Sequence, residues 1–457
     1  LNKPSVLLDG TQLLQKRGTG IASYTRTLAR TLHFLGAEVN LLFGTNSRPR
    51  RDDPPFAFAD QIFCHRPAST RLSRFASAAS RTRFGLKRKI DAFKVCLDHI
   101  DFRALEPPLP EFDGAYNVEG PFDHARMLSA WGRPMATVMP PDDFAATHWT
   151  GPVPLKSANG PNIYTIHDLV PIQFPYFVVD RPGHSARLHA AIAQAADGII
   201  TVSETSKASI VDILKVPPER VTVTYQPVLA PRPLTQEDAE WIVSSIYNAS
   251  PKGYALYLGA IEPKKNVARL IESFLLSRVN VPLLLVGPKG WLYDEEDELL
   301  TSIAEQFRLA KVLGQTSDRS SGILDRASLP VRHLGYLPRR HVTALLQCAK
   351  FVTFPSIYEG FGLPVLEAMQ LGVPVLTSDA ASLREVAGDA ALRVDPLDMD
   401  DIARGIRQID ADKDLRAALT VKGRVQASRF SQQAYEDRLR EAYRKVGIEF
   451  TNSPKKE

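Results

Sequence analysis

Ser356-Ile-Tyr-Glu-Gly-Phe-Gly-Leu-Pro-Val-Leu-Glu-Ala-Met369 is the most informative segment of the chain. The apolar run before it, Phe351-Val-Thr-Phe354, reads as a buried parallel strand, and a helical pattern follows from Pro364. Proline suits a first helical turn, where its missing N–H would be unpaired anyway. Gly360 and Gly362 let the backbone of the intervening turn approach a ligand closely. The free N–H groups at the helix start point at that ligand, and a phosphate is the natural occupant. Glu359 stands just before the turn and Glu367 about one helical turn inside. Carboxylates repel phosphate but accept from hydroxyl groups. Two of them flanking an anion site suit a sugar and a ribose on either side of a diphosphate.

Glu359 and Glu367, seven residues between them and Gly-Phe-Gly-Leu-Pro inside, resemble the signature of glycosyltransferase family 4, the retaining GT-B enzymes. The resemblance implies that Glu359 contacts the donor sugar. It implies that the backbone of Phe361, Gly362 and Leu363 holds the distal phosphate, and that Glu367 binds the ribose hydroxyls. The implied fold is α/β: two Rossmann-like, doubly wound parallel-sheet domains facing a cleft. The resemblance is specific over about residues 160–435, loose over 1–45 and weak across 46–150.

A chain of 457 residues is long enough for two or three domains. No apolar stretch reaches the roughly 18–20 residues of a membrane span. The N-terminus runs directly into a strand pattern without a signal-peptide profile or an initiator Met, and reads as processed or trimmed. Cys64, Cys96 and Cys348 make no metal-like or redox pair, which points to a reducing, cytoplasmic setting. The net charge of +5 is mild but uneven. Arg66, Arg71, Arg74, Arg81, Arg83, Lys87, Arg88, Lys89 and Lys94 face only Asp91 over that stretch. Leu72, Phe75, Ala76 and Ala79, then Leu86, Ile90 and Phe93, recur at helical spacing. A basic amphipathic helix of this kind can lie on an anionic membrane surface, here the inner face of the plasma membrane; the plain alternative is a solvated insertion. The arginines come without stacking aromatics or a known binding module, so nucleic acid is not an expected partner.

Short apolar runs alternate with helical patterns in both halves, the signature of parallel sheets covered by helices. The reading places an N-terminal, acceptor-binding Rossmann-like domain at 1–230, with an irregular basic insertion over about 46–160 that holds at least one helix near 70–103. A C-terminal, nucleotide-sugar-binding Rossmann-like domain follows at 250–428, after a linker marked by Pro227, Pro231 and Pro233. Residues 315–327 read as a mobile loop. The family resemblance implies that a C-terminal helix, within 429–457, returns to the first domain.

Ligands of open parallel sheets bind beyond the carboxyl ends of the strands, and three more features fall there. Gly259-Ala-Ile-Glu-Pro-Lys-Lys-Asn266 brings Lys264 and Lys265 to face the start of the helix at Leu363, where fixed cations stabilise a leaving diphosphate. The family supplies an Arg and a Lys from this loop. Lys265 matches the Lys, Ala260 stands at the Arg position, and Lys264 is expected to replace that charge, though without a bidentate fork. His167-Asp168 ends the strand Asn162-Ile-Tyr-Thr-Ile166. In the family the matching His lies beside the donor sugar and polarises the transition state, while Asp168 either fixes the imidazole or meets the acceptor. Gly18, Thr19 and Gly20 lie too far beyond Asp9 for a dinucleotide fingerprint. By resemblance they form the Gly-rich loop against the diphosphate and acceptor. His148 and Trp149 are read as an exposed aromatic step on which an acceptor sugar stacks. Asp398-Met-Asp400 is a DxD triplet that precedes a helix, where acids favour the N-terminus, and is read as a cap and not a metal site.

The resulting expectation is a metal-independent, retaining hexosyltransferase without a cofactor, similar to bacterial mannosyltransferases of O-antigen and capsule synthesis. The resemblance makes GDP-mannose the first donor, with UDP-sugars and GDP-fucose open, and a glycan or lipid-linked glycan the acceptor. The alternatives are a non-catalytic nucleotide- or glycan-binding partner subunit and another GT-B enzyme, such as a nucleotide-sugar epimerase.

Overall fold

The computed structural model describes residues 3–14, 20–45, 89–95, 108–130, 135–178, 182–228, 233–312 and 329–450. Two sheets form, each with its own core. In the first, Val221–Val223, Gly198–Thr201, Asn162–Thr165, Ala146–Trp149, Ser5–Asp9, Glu38–Phe43 and Gly114–Val118 lie side by side, all parallel. Lys89–Lys94 adds antiparallel to Gly114–Val118 and carries the sheet on to Ala136–Met139 and Leu155–Ser157. The core strands read as near-continuous apolar runs because helices cover both faces. Val6, Leu7 and Leu8 are each fully buried.

The second sheet is all parallel, in the order Val331–Gly335, Leu283–Val286, Ala255–Leu258, Phe351–Phe354, Val375–Ser378, Leu392–Val394. Counted along this half, that order is 3-2-1-4-5-6. The chain reverses direction between Ala255–Leu258 and Phe351–Phe354, and a crevice must open beyond their carboxyl ends. The loops leaving those two strands are the two that the sequence marks, 259–266 and 355–362.

Two expectations need correcting. The described residues of 108–160 are not irregular: they hold four strands, Gly114–Val118, Ala136–Met139, Ala146–Trp149 and Leu155–Ser157, and the helix Pro121–Ala130. The helical pattern through Ile90 and Phe93 is a strand, Lys89–Lys94, whose ladder hydrogen bonds run to neighbours on both sides. Of the basic stretch, residues 66–88 lie outside the described residues, as do residues 315–327.

The last helix, Gln432–Arg444, packs on the first sheet. Tyr435, Leu439 and Tyr443 are buried in one cluster with Val6, Leu8, Leu28 and Val39. The second domain therefore ends in an element that belongs to the core of the first. No helix among the described residues is long and apolar enough to cross a membrane.

Candidate functional site

Phe351–Phe354 runs into Pro355-Ser356 and then the turn that feeds the helix Leu363–Gln370. Gly362 caps that helix at φ 117°, a conformation that favours glycine, and a Cβ there would lie 2.6 Å from Leu383. Gly360 serves the approach of the other domain. A Cβ on it would stand 2.8 Å from the His167 carbonyl oxygen. Ser206 Oγ donates to that same His167 carbonyl at 2.9 Å and reaches the Gly360 carbonyl at 3.5 Å. The N–H groups of Gly362 and Leu363 find no backbone acceptor among the described residues, as expected at a helix start, where an anion can accept from them instead.

Five ionisable side chains converge here from three loops. Lys265 Nζ donates to Glu359 Oε1 at 2.5 Å and lies 5.1 Å from the centre of the Phe354 ring. Lys264 Nζ stands 3.9 Å from Asp168 Oδ2, an ion pair that crosses between the domains. The 3-10 turn Pro263–Lys265 sets the two lysines side by side. Asn266, at φ 61°, ends the turn, and its side-chain amide donates to the Pro355 and Pro396 carbonyls. Burial works against the charge on Lys264, but Asp168, Glu359 and Glu262 together hold its pKa above the ordinary lysine value. Asp168 Oδ1 accepts from the Val170 N–H at 3.0 Å, which fixes its carboxylate at the start of the short helix Val170–Gln173.

His167 Nε2 is 2.9 Å from the Thr150 carbonyl. A carbonyl can only accept, so Nε2 carries the proton and Nδ1 the lone pair. Burial lowers the pKa of this imidazole, which keeps it neutral. Tyr24 packs edge-on against the ring at 4.8 Å, and its hydroxyl is hydrogen-bonded to Thr165. Thr150 and Tyr24 are thus the residues that aim His167. Neither carries a motif, and only the strand order brings them there.

Glu367 lines a cavity of about 510 Å³ between the domains, together with Leu363, Arg339, Tyr24, Arg26 and Arg30. Burial raises the pKa of its carboxyl group against the pull of Arg339, whose Nη2 donates to Oε1 at 2.9 Å. Arg339 opens the helix Arg339–Cys348 at the edge of the crevice and had no sequence signal to mark it. The backbone of Phe361 is fixed by its ring, which packs on Phe430 and Tyr225.

The structure does not bring every marked residue to the crevice. His148 and Trp149 are fully buried, not an exposed step. His148 joins Thr165 to Tyr443, at 2.8 Å on each ring nitrogen, and Trp149 donates to Asn162 at 3.0 Å. They lie in a central strand, where both faces are covered. Gly20 starts the helix Gly20–Phe34, whereas Gly18 and Thr19 lie outside the described residues. Asp398 caps the helix Met399–Ala411, its Oδ1 accepting from the N–H groups of Asp400 and Asp401.

Comparison with known proteins agrees with this architecture. Residues 244–426 match the group 1 glycosyl transferases, and residues 121–228 match glycosyltransferase family 4. The O-antigen chain mannosyltransferase B of Escherichia coli is 35% identical over 290 residues, covering 60% of this chain and 70% of that protein. The serotype-specific mannosyltransferase WbdA of Escherichia coli is 28% identical over 286 residues, 62% of this chain but only 33% of that longer protein. Among solved structures, Anabaena HepE in complex with UDP and glucose superposes with a TM-score of 0.55 at 15% identity, over 96% of this chain and 98% of its own. With a relative of this identity matched over most of its length, and with two parallel sheets meeting at a crevice, the chain belongs to the family 4 glycosyltransferases of the GT-B fold.

Proposed function

We propose that this protein transfers a mannosyl residue from a nucleotide diphosphate sugar, GDP-mannose first, to a hydroxyl of a glycan or lipid-linked glycan during surface polysaccharide synthesis. The observation that carries the reading is the convergence of Lys264, Lys265, Glu359 and His167 beside the open start of the helix Leu363–Gln370. Two lysines and a helix N-terminus suit a diphosphate that gains charge as the glycosidic bond breaks. Glu359 and the neutral His167 suit the hydroxyls of the sugar, and Glu367 suits the ribose. The mannosyl part rests on the two similar mannosyltransferases. The nucleotide part is supported by the UDP held in the similarly folded HepE.

The proposed reaction retains configuration and needs no metal. Glu359 is held by Lys265, so its carboxylate is engaged and ill suited to attack as a nucleophile. Substitution on the front face, with the leaving phosphate taking the acceptor proton, fits that arrangement. Attachment to an anionic membrane surface through the cations of 66–88 belongs to the same proposal, since a lipid-linked acceptor would lie there.

A panel of nucleotide-sugars, with nucleotide release followed with and without octyl α-mannoside, tests the reading. Expected are preference for GDP-mannose, an α-linked product by NMR and undiminished turnover in excess EDTA. No turnover with any donor, despite nucleotide binding, would favour a non-catalytic partner subunit. Loss in EDTA reversed by Mn²⁺ would overturn the metal-free part.

A further inference from the structure

The buried Trp149 leaves the acceptor without its expected aromatic platform, yet an aromatic surface does exist at the crevice. The segment after Asp168 carries Phe174, Tyr176 and Phe177, and the loop after Leu283–Val286 carries Trp291 and Leu292. Most of Tyr176 is open to solvent, at 66% exposure, and Trp291 and Leu292 are 38% and 52% exposed. Apolar side chains so exposed, from two domains and beside one crevice, call for a partner.

Contacts tie this surface to the donor site and its two halves to each other. Phe174 packs against Tyr358, the neighbour of Glu359, with ring centres 5.0 Å apart. The Trp291 loop is seated on the lysine loop: the Ile261 N–H donates to Pro288, and the Gly290 N–H donates to Ile261, each at 2.9 Å. Gly290 is required there, because a Cβ would lie 2.7 Å from the Ile261 carbonyl oxygen. Trp291 Nε1 donates to the Phe177 carbonyl at 2.7 Å, across the gap between the domains. This bond satisfies the one polar group of the indole and holds the ring without help from a ligand. The nucleotide cavity, with Arg339 and Glu367, is lined by neither aromatic segment.

We propose that Trp291 and Tyr176 form the acceptor platform, binding a hexose glycoside by stacking its C–H face on their rings. The assignment rests on the glycosyl-transfer reading above. A pyranose has one face of C–H groups and a rim of hydroxyls. Trp and Tyr suit such a half-apolar, half-wet ligand, and a ring already fixed by hydrogen bonding loses little freedom on binding it. Asp168, at the start of the Phe174 segment and paired with Lys264 of the other domain, is a carboxylate suited to the hydroxyls of that rim.

The test measures transfer from GDP-mannose to octyl α-mannoside, donor hydrolysis without acceptor, and GDP binding by calorimetry. Trp291→Ala and Tyr176→Ala should each raise the acceptor KM about tenfold. GDP affinity and donor hydrolysis should hold at wild-type values. Trp291→Phe, which keeps a ring but loses the bond to Phe177, should stay within about threefold of wild type. An unchanged acceptor KM in both alanine variants overturns the platform, as does a parallel loss of GDP affinity, which would assign Trp291 to domain closure. If the wild type transfers nothing and hydrolyses no nucleotide-sugar, the glycosyl-transfer reading itself falls, and the platform with it.

Discussion

Lys265 and Glu359 form a buried ion pair, and each is costly without the other. Both are mostly buried, at 14% and 7% side-chain exposure. Removing one partner of a buried pair leaves an uncompensated charge, typically about 3–5 kcal/mol. Lys265→Ala is therefore expected to lower kcat/KM more than about 100-fold, roughly 3 kcal/mol of leaving-group stabilisation, and to lower the unfolding midpoint as well. Adding Glu359→Gln to that variant should recover stability but not turnover. Recovery of both would mean that the lysine serves only to neutralise Glu359. Lys264→Ala should also slow turnover, because Ala260 brings no charge to the loop. Glu367→Ala should weaken GDP binding by about 2–3 kcal/mol, the range for hydrogen bonds to a charged group. Calorimetry showing wild-type affinity in that variant would remove the ribose from Glu367.

At the scale of elements, the final helix is held by a buried polar chain running from Tyr443 through His148 to Thr165 and Tyr24. Tyr24 is the ring that packs against His167, so the chain reaches from the C-terminus to the crevice. Tyr443→Phe strands one imidazole nitrogen of His148 and should cost about 1–3 kcal/mol in urea unfolding. Burial, with His167 as a lesser cause, pushes the pKa of His148 from 6.5 down to about 3. Between those values the unfolded chain binds a proton that the folded chain refuses. Stability should therefore fall as pH drops below about 6.5, by roughly 1.4 kcal/mol per pH unit for this group, and His167 acts in the same direction. Denaturant midpoints from pH 7 to pH 5 check the slope. A His148→Gln variant whose slope matches wild type would exclude His148 as its source.

The whole molecule is two sheets joined by contacts as well as by chain. The helix Glu204–Leu214 of the first domain takes its N-cap from Ser203, but Glu385 of the second domain also accepts from the Glu204 and Thr205 N–H groups, at 3.1 and 3.2 Å. A carboxylate at a helix N-terminus contributes on the order of 1 kcal/mol. Because this one crosses between domains, Glu385→Ala should loosen their closure and weaken nucleotide affinity about fivefold, the factor for that energy. Unchanged GDP binding by calorimetry would show the contact to be independent of the crevice.

Legible in the residues alone are the strand–turn–helix unit at 351–370, the lysine turn at 263–265 and the placement of His167-Asp168 at a strand end. Each is local: its glycine, proline and apolar spacing sit within a few residues, and backbone sterics read them directly. The sequence reading of His148 and Trp149 failed because Ala146-Thr-His-Trp149 is a short, mixed-polarity strand that becomes central only when Ser5–Asp9 and Asn162–Thr165 flank it. Ile90 and Phe93 misled for a related reason: six residues satisfy a helical spacing and a strand pairing alike, and only the neighbouring strands settle which backbone hydrogen bonds form. Thr150, Tyr24, Arg339 and Trp291 reach the crevice through strand order and domain contact, and so belong to the tertiary structure alone. Burial decides the rest, since whether a histidine polarises a substrate or bridges a core depends on what covers it, and no spacing in one chain records that.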